Sequence, residues 1–417
     1  MTSPARESRI ERSERVSGRG KGPLAGVKVI DLTSVLMGPY ATQIFADLGA
    51  DVIKVESPDG DTTRFIPPGP DASRGGMFLN VNRGKRSIVI DLKQPEGRDA
   101  LLRLAKDADV FIHSMRSRAI GRLGLDYEAL RAVNKRIIYA NLYGYARNGP
   151  YRDYPAYDDI VQAASGIVDL QARLSGGKPT YAATVIADKV AGLTGAYSVI
   201  AALFARERSG QGQEIEVPMF ETLVSFTMVE HLCGSLFDPP QGPPEYARAT
   251  SEARRPYQTA DGYIGVMIYN DRHWRSFFDV LGNPEWSRDP MFASMRSRTE
   301  NIGAVLTKVA EVIATRTTDE WVALFREAQI PATPIASLTE LLHDPHLIET
   351  GFWEERQTDS GTLRFPGIPT LFSQTPGEIG DPGPALAGQS EEVLREANFS
   401  ETEIATLLDS GAVRKSA

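Results

Sequence analysis

Residues Val27 to Glu56 read V-K-V-I-D-L-T-S-V-L-M-G-P-Y-A-T-Q-I-F-A-D-L-G-A-D-V-I-K-V-E. An apolar run, Val27 to Leu32, is followed by Gly38 and Pro39 at a helix start, by Gly49 at its close, and by a second apolar run that stops at Glu56. That order predicts one βαβ unit. An acid ending the second strand is what a dinucleotide site would set against a ribose, but Gly38 stands alone where G-x-G-x-x-G is required. A nicotinamide-dependent oxidoreductase is thus disfavoured, and Glu56 reads as a strand-end residue bound to nearby backbone or a cation.

Two more units follow. N-R-G-K-R-S-I-V-I-D-L-K-Q-P-E-G, Asn82 to Gly97, holds a strand over Ser87–Leu92 and a helix opening after Pro95. Its basic residues Arg83, Lys85, Arg86 and Lys93 fit either a solvated strand edge or a phosphate site near a helix N-terminus. A helix over Arg98–Lys106 and a strand over Asp109–Ile112 lead into H-S-M-R-S-R-A-I-G-R-L-G-L-D-Y. A further strand, Ile137–Asn141, precedes Y-G-Y-A-R-N-G-P and then Tyr157, Asp158, Asp159, Gln162 and Gly166. Strands alternating with helices predict an α/β protein.

Downstream, Pro179 to Val217 runs through Asp188 into a helix. Val190, Leu193, Tyr197, Ile200 and Phe204 recur at spacings of three and four, the period of a helix with one buried face. Gly210 stops it, after Arg206 and Arg208 at the negative end of the dipole. Asp188 reads in two compatible ways. It is a residue type favoured at an N-cap; it is also a carboxylate behind small apolar neighbours, where the dipole favours the charge and desolvation opposes it, and an ionised Asp without a paired cation is a nucleophile.

The pattern A-D-x-x-x-G, then R-S-G-Q-G-Q-E-I-E-V, resembles the class III CoA-transferase family. So do G-P with V-I-K-V-E, N-R-x-K-R-S-I-x-L-D-L-K, the R-L-G-L of Arg122 to Leu125, and Y-D...Q-A-x-x-G. The resemblance covers nearly all of the chain from Gly22, strongly in the first two hundred residues. It implies a Rossmann-like large domain made from the N- and C-terminal parts, an inserted smaller α+β domain, and an interlocked homodimer. It also implies that Asp188 is the catalytic carboxylate and that CoA contacts come from Val35, Ile90, Asp91, Leu92, Lys93, Ser114, Met115, Arg116 and Arg122. Departures exist: Ser34, Val35 and Leu36 stand where formyl-CoA transferase has His-Val-Gln, Ser57 replaces an arginine, and the glycine-rich loop before the small-domain strand is missing.

The implied reaction is CoA transfer from an acyl-CoA donor to a free carboxylic acid through an aspartyl anhydride and an aspartyl-CoA thioester, with no permanently bound cofactor. The alternative within the family is a 2-methylacyl-CoA racemase. Racemases carry a histidine where this chain has Tyr157, and racemisation needs a base on each side of the α-carbon. Asp188, with the ordinary carboxylate pKa of about 3.9, is expected to be almost wholly ionised at neutral pH.

The expected organisation is a disordered arm over 1–22, a first part of the large domain over 23–219, a linker helix and loop over 220–254, a small domain over 255–332, and a return to the large domain over 333–417. The chain has 417 residues, 41% hydrophobic and 24% charged, with a formal charge of −8. That length implies two or three domains, and the acidic balance argues against nucleic acid as a partner. No apolar run reads as a membrane span and no signal-peptide core follows the N-terminus, so the expectation is a cytoplasmic protein without a membrane partner. Arg6, Arg9, Arg12, Arg15 and Arg19 alternate with acids in the arm, unlike a mitochondrial presequence. The single cysteine, Cys233, excludes an intrachain disulfide and a multi-cysteine metal site and reads as a buried thiol. No metal is expected; Pro345 between His343 and His346 marks a helix start instead of a metal-binding face.

Overall fold

Continuous apolar runs mark strands covered on both faces, and the computed structural model, which describes residues 21–416, lays these runs side by side. β1 (Lys28–Leu32), β2 (Asp51–Glu56), β3 (Arg86–Ile90), β4 (Val110–His113), β5 (Ile138–Tyr143) and β6 (Gln213–Pro218) form parallel pairs in the order β3-β2-β1-β4-β5-β6. The short strand Val413–Arg414 adds antiparallel to β3. Every residue of β3, β4 and β5 is buried. The chain builds from β1 outward to β3, then returns to β1's other flank with β4. The order therefore reverses between β1 and β4, and the crevice beyond their carboxyl ends is where open α/β sheets bind ligands. Leu32 pairs with His113, and beyond them the Ser34 N–H donates to Ser114 Oγ at 3.2 Å.

Three of the four basic residues around β3, Arg83, Lys85 and Arg86, form neither a solvated edge nor a phosphate site. Arg83 is ion-paired with Asp47 at 2.7 Å, Lys85 with Asp31 at 3.2 Å, and Arg86 with Asp51 at 2.5 Å, all with side chains almost wholly removed from solvent. Only Lys93 of that group is exposed. Glu56 is buried too. It accepts from Arg64 at 2.6 Å and from Ser87 Oγ at 2.7 Å, so it is occupied where a dinucleotide fold would hold a ribose.

The helix Ile186–Ser209 packs on the helix Met37–Asp47 and on β5 through Ala187, Ala191, Gly192, Gly195, Ala196 and Val199. A Cβ at Gly192 would stand 2.6 Å from the Met37 carbonyl oxygen, and one at Gly195 would stand 3.0 Å from Leu142 Cδ2. The buried stripe is therefore the small one, because only small side chains permit that approach. The larger stripe expected to be buried faces outward: Leu193, Tyr197 and Phe204 are 47%, 63% and 59% exposed. By length and composition alone this 24-residue helix could cross a membrane, contrary to the expectation of no such run; it carries the buried Arg206, paired with Asp109 at 2.9 Å. Gly210 ends it at φ 72°.

The described chain divides into two compact units. One comprises the residues up to Gln162, Thr184–Val224 and Ile348 onward, and contains the parallel sheet. The other comprises Ala163–Ala183 and Ser225–Leu347. Its core gathers Trp274, Phe277, Phe292, Trp321 and Phe325, beside an antiparallel sheet of Tyr257–Gln258, Tyr263–Val266 and Ala332–Pro334. Cys233 is exposed, contrary to the buried thiol expected. The helix Met219–His231 has already ended, and the S–H donates to the Glu230 carbonyl at 2.8 Å in a short turn. The arm read over 1–22 lies outside the described residues, apart from Lys21 and Gly22.

The close approach at Gly192 is testable. Gly192→Ala is expected to lower stability by about 1–3 kcal/mol through overpacking, seen as a lower urea midpoint. Gly303→Ala, at an exposed position of the helix Ile302–Ile313 with open space around the new methyl, is expected to raise stability by about 0.5–1 kcal/mol.

Candidate active site

Asp188 is not the N-cap of its helix. Val185 holds that position without a side-chain cap, and Asp188 belongs to the first turn. Its backbone N–H donates to Asp158 Oδ1 at 3.0 Å. Asp158, at the start of the helix Asp158–Ala164, is buried, and its Oδ2 accepts from Gln162 Nε2 at 2.5 Å. Gln162 also donates to the Thr184 carbonyl at 3.3 Å. This chain of bonds ties the entry into the long helix to the helix Asp158–Ala164 and leaves two carboxylates as neighbours.

The environment decides the charge of Asp188. Burial, helped by the negative charge of Asp158, pushes its pKa up to about 7. Desolvation and the neighbouring carboxylate thus work against the almost wholly ionised form expected from the free amino acid, toward a mixture of both forms near neutral pH.

Asp188 opens onto a cavity of about 230 Å3 at the switch point between β1 and β4. Val35, Ser114 and Arg116, all singled out from sequence, line it with Asp188. Val35 has φ 68°, a backbone conformation rarely taken by a β-branched residue, and its N–H donates to Asp61 Oδ1 at 3.4 Å. The other singled-out residues lie away from the lining. Ile90 is buried in β3 and pairs with Val413. Asp91, Leu92 and Lys93 follow it at the carboxyl end of β3, with Asp91 Oδ1 accepting from the Lys93 N–H at 3.1 Å. The Met115 N–H donates to His113 Nδ1 at 3.1 Å while its side chain packs against the core. Arg122 is exposed at the end of the helix Ser117–Arg122.

The segment 144–157, between β5 and the helix of Asp158, supplies residues that sequence reasoning passed over. Tyr145, Arg152 and Tyr154 line the cavity beside the already noted Tyr157, with Met37 and Met219. The segment is braced by rings: Tyr145 meets Tyr151 and Phe220 at centroid distances of 5.6 Å each, and Tyr151 meets Tyr154 at 5.3 Å. The available signal was the density of tyrosine in a stretch of glycine and proline, where a polar loop would be expected.

A sequence model described as CoA-transferase family III matches residues 24–390. A succinate–glutarate CoA-transferase of Agrobacterium fabrum is 34% identical over 394 residues, covering 90% of this chain and 96% of that protein. An acetyl-CoA:oxalate CoA-transferase of Acetobacter aceti is 34% identical over 87% of this chain and 92% of its own length. Among solved structures, the hypothetical protein Rv3272 of Mycobacterium tuberculosis superposes with a TM-score of 0.78 at 30% identity, covering 90% of this chain and all of that one. A CaiB/BaiF family protein of Brucella suis gives 0.75 at 29% identity, over 91% and 100% of the two chains.

The raised pKa of Asp188 has a stability consequence with a definite sign. The folded value of about 7 exceeds the ordinary 3.8, so the folded protein binds this proton more tightly than the unfolded chain, and stability falls as pH rises between those values. Asp188→Asn removes that dependence. The variant is expected to gain on the order of 2 kcal/mol over the native protein at about pH 8 and much less at about pH 4.5, measured by thermal unfolding at both values.

Proposed function

Since the chain belongs to CoA-transferase family III, we propose that it moves CoA from an acyl-CoA donor to a free carboxylic acid, with Asp188 as the covalent carrier. The observation that carries this reading is the Asp188 carboxylate, unpaired with any cation among the described residues, in a small cavity at the sheet's switch point.

Each step balances. The ionised Asp188 attacks the donor's carbonyl carbon; a C–O bond forms, the C–S bond breaks, and a mixed anhydride and the CoA thiolate result. The thiolate attacks the aspartyl carbonyl of the anhydride, releasing the donor acid as its carboxylate and leaving an aspartyl-CoA thioester. The acceptor carboxylate attacks that thioester to give a second anhydride and thiolate. Attack of the thiolate on the acceptor's carbonyl yields the new acyl-CoA and restores the Asp188 carboxylate. No proton is consumed overall, so the cavity's task is to hold thiolate and anhydride together, which can supply roughly 7–11 kcal/mol.

Val35, Ser114 and Arg116 are the CoA contacts we place nearest the thioester, because they share the cavity with Asp188. Asp91, Leu92, Lys93, Met115 and Arg122 are assigned to the remoter parts of the cofactor-like substrate, and the buried Ile90 can offer only backbone. The racemase alternative is weaker, since the cavity lining contains four tyrosines but no histidine to act as a second base. We also propose a homodimer. The outward stripe of Leu193, Tyr197 and Phe204 on the long helix supports it, as an exposed apolar surface of that kind marks an interaction site.

Incubation with acyl-CoA donors and hydroxylamine or borohydride, read by peptide mass spectrometry, is expected to modify Asp188 alone; unmodified protein with every donor refutes the reading. Asp188→Asn is expected to lower turnover by at least about 10³-fold. The rate should rise with pH through about 7, and Asp158→Asn should move that rise to lower pH. Sedimentation is expected to show a dimer that Leu193→Asp with Tyr197→Asp dissociates.

A further inference from the structure

Between β1 and the helix Met37–Asp47 the chain turns through residues 33–36, and Ser34, Val35 and Met37 line the cavity of Asp188. Val35 takes φ 68° in that turn. Among the described residues that have positive φ and are not glycine, Val35 alone is β-branched and alone lines this cavity. A branched Cβ crowds the backbone in the left-handed region, so the conformation persists only where the surroundings fix it, and residues held in this way cluster at functional sites. Glycine would adopt it freely. The turn keeps valine instead, and it is held from outside.

What holds it is a buried ion pair. Lys54 Nζ and Asp61 Oδ2 are 2.9 Å apart, and both side chains are 1% exposed. Lys54 Nζ also donates to the Thr33 carbonyl at 2.9 Å, and Asp61 Oδ1 accepts from the Val35 N–H in a longer bond of 3.4 Å. The pair therefore grips the backbone on both sides of Ser34. Its own mounting is firm: Lys54 belongs to β2, while Asp61 accepts from the Thr63 N–H at 2.9 Å and from Thr63 Oγ1 at 2.8 Å, and its N–H donates to Glu56 Oε2 at 3.0 Å. Burial opposes the charge of Asp61, yet Lys54 and the Thr63 bonds hold its carboxyl below the ordinary value. Of the neighbouring buried pairs, Lys85 with Asp31 reaches this turn through one member, Asp31, which accepts from the Thr33 N–H at 2.8 Å. Lys54 and Asp61 both bond it, and neither lines the cavity.

Resting on the transfer reading above and on Val35 as a CoA contact, we infer that Lys54 and Asp61 are positioning residues for the acyl-CoA substrate. Their ion pair keeps Val35 in its left-handed conformation and so sets the wall that meets CoA beside the thioester. The pair touches no substrate itself. Because CoA is common to all donors, its effect is independent of the acyl group.

The test uses the whole protein, acyl-CoA donors varied against a fixed acid, and the acid varied against a fixed donor. Asp61→Asn is expected to lower kcat/KM for acyl-CoA by about 10- to 100-fold, the scale of a misplaced binding wall, by a similar factor for every donor the native protein accepts. It should leave kcat/KM for the free acid within about threefold, since CoA is already tethered to Asp188 when the acid enters. Lys54→Gln combined with Asp61→Asn leaves neither ion of the pair buried alone and should give the same split, with far-ultraviolet circular dichroism matching the native protein. Val35→Gly supplies the rescue: within that background, adding Asp61→Asn is expected to cost less than about threefold, because glycine takes the turn conformation without the clamp. Unchanged kcat/KM for acyl-CoA in the folded variants overturns the inference and leaves CoA transfer intact. So does an equal fall for acyl-CoA and acid, or the same loss with and without Val35→Gly. Absence of transfer by the native protein with every donor and acid, together with an unmodified Asp188, overturns the transfer reading and this inference with it.

Discussion

The approach of the helix Ile186–Ser209 to the helix Met37–Asp47 is the constraint from which the site follows. At Gly192 the two backbones come so near that a methyl group would meet the Met37 carbonyl oxygen at 2.6 Å. A helix seated this deeply buries Ala187 in its first turn and leaves the adjoining Asp188 half-buried. Desolvation of the carboxyl is then a consequence of backbone packing, with no dedicated apolar pocket required. The same seating turns Leu193, Tyr197 and Phe204 outward, because alanine and glycine have taken the inner face.

Charge is distributed accordingly. Burying an ion is costly unless a partner repays the desolvation, and the sheet meets that rule: Asp31, Asp47, Asp51, Glu56 and Asp61 each have a cation within 3.2 Å. Asp188 breaks it. Its near neighbour is another carboxylate, Asp158, which is held by Gln162 and by the Asp188 N–H itself. Two neighbouring acids without a cation, in a fold that gives Asp31, Asp47, Asp51, Glu56 and Asp61 one each, mark a candidate reactive site. The neutral partners of Asp158 matter here. An arginine in the place of Gln162 would satisfy Asp158 and also draw the Asp188 pKa down, giving a carboxylate that is ionised and correspondingly less basic.

Much of this was legible in the chain, and the parts that were not share a cause. Val27–Glu56 declares its βαβ unit because strand length, a Gly-Pro helix start and a closing glycine are local properties. Asp188 could be singled out because its surroundings in sequence, small residues before and a periodic helix after, are also local. The identity of the buried helix face was not local. Periodicity finds two stripes, and hydrophobicity favours the larger, yet the neighbour's backbone selects the smaller. The basic run at Arg83–Arg86 misled for the same reason: Asp47, Asp51 and Asp31 are distant in sequence and become partners only once β1, β2 and β3 align. The pKa of Asp188 needed Asp158, thirty residues away, and the tyrosine-braced segment 144–157 looks like an ordinary loop until Phe220 joins its rings.

This division between scaffold and loop bears on how one fold serves different acids. Asp188 is placed by helix packing and the crevice by strand order, so neither can shift without disturbing the core. The segment 144–157 is different. Its rings brace one another and Phe220, its backbone is hydrogen-bonded within itself, and it contributes Arg152, Tyr154 and Tyr157 to the cavity without contributing to the sheet. Loops on a rigid scaffold are where binding residues change most freely. The position of Asp188 can therefore stay fixed while the part of the cavity wall that this segment supplies varies. Chemistry is held by the part of the molecule that packing makes immovable, and selection by the part that packing leaves replaceable.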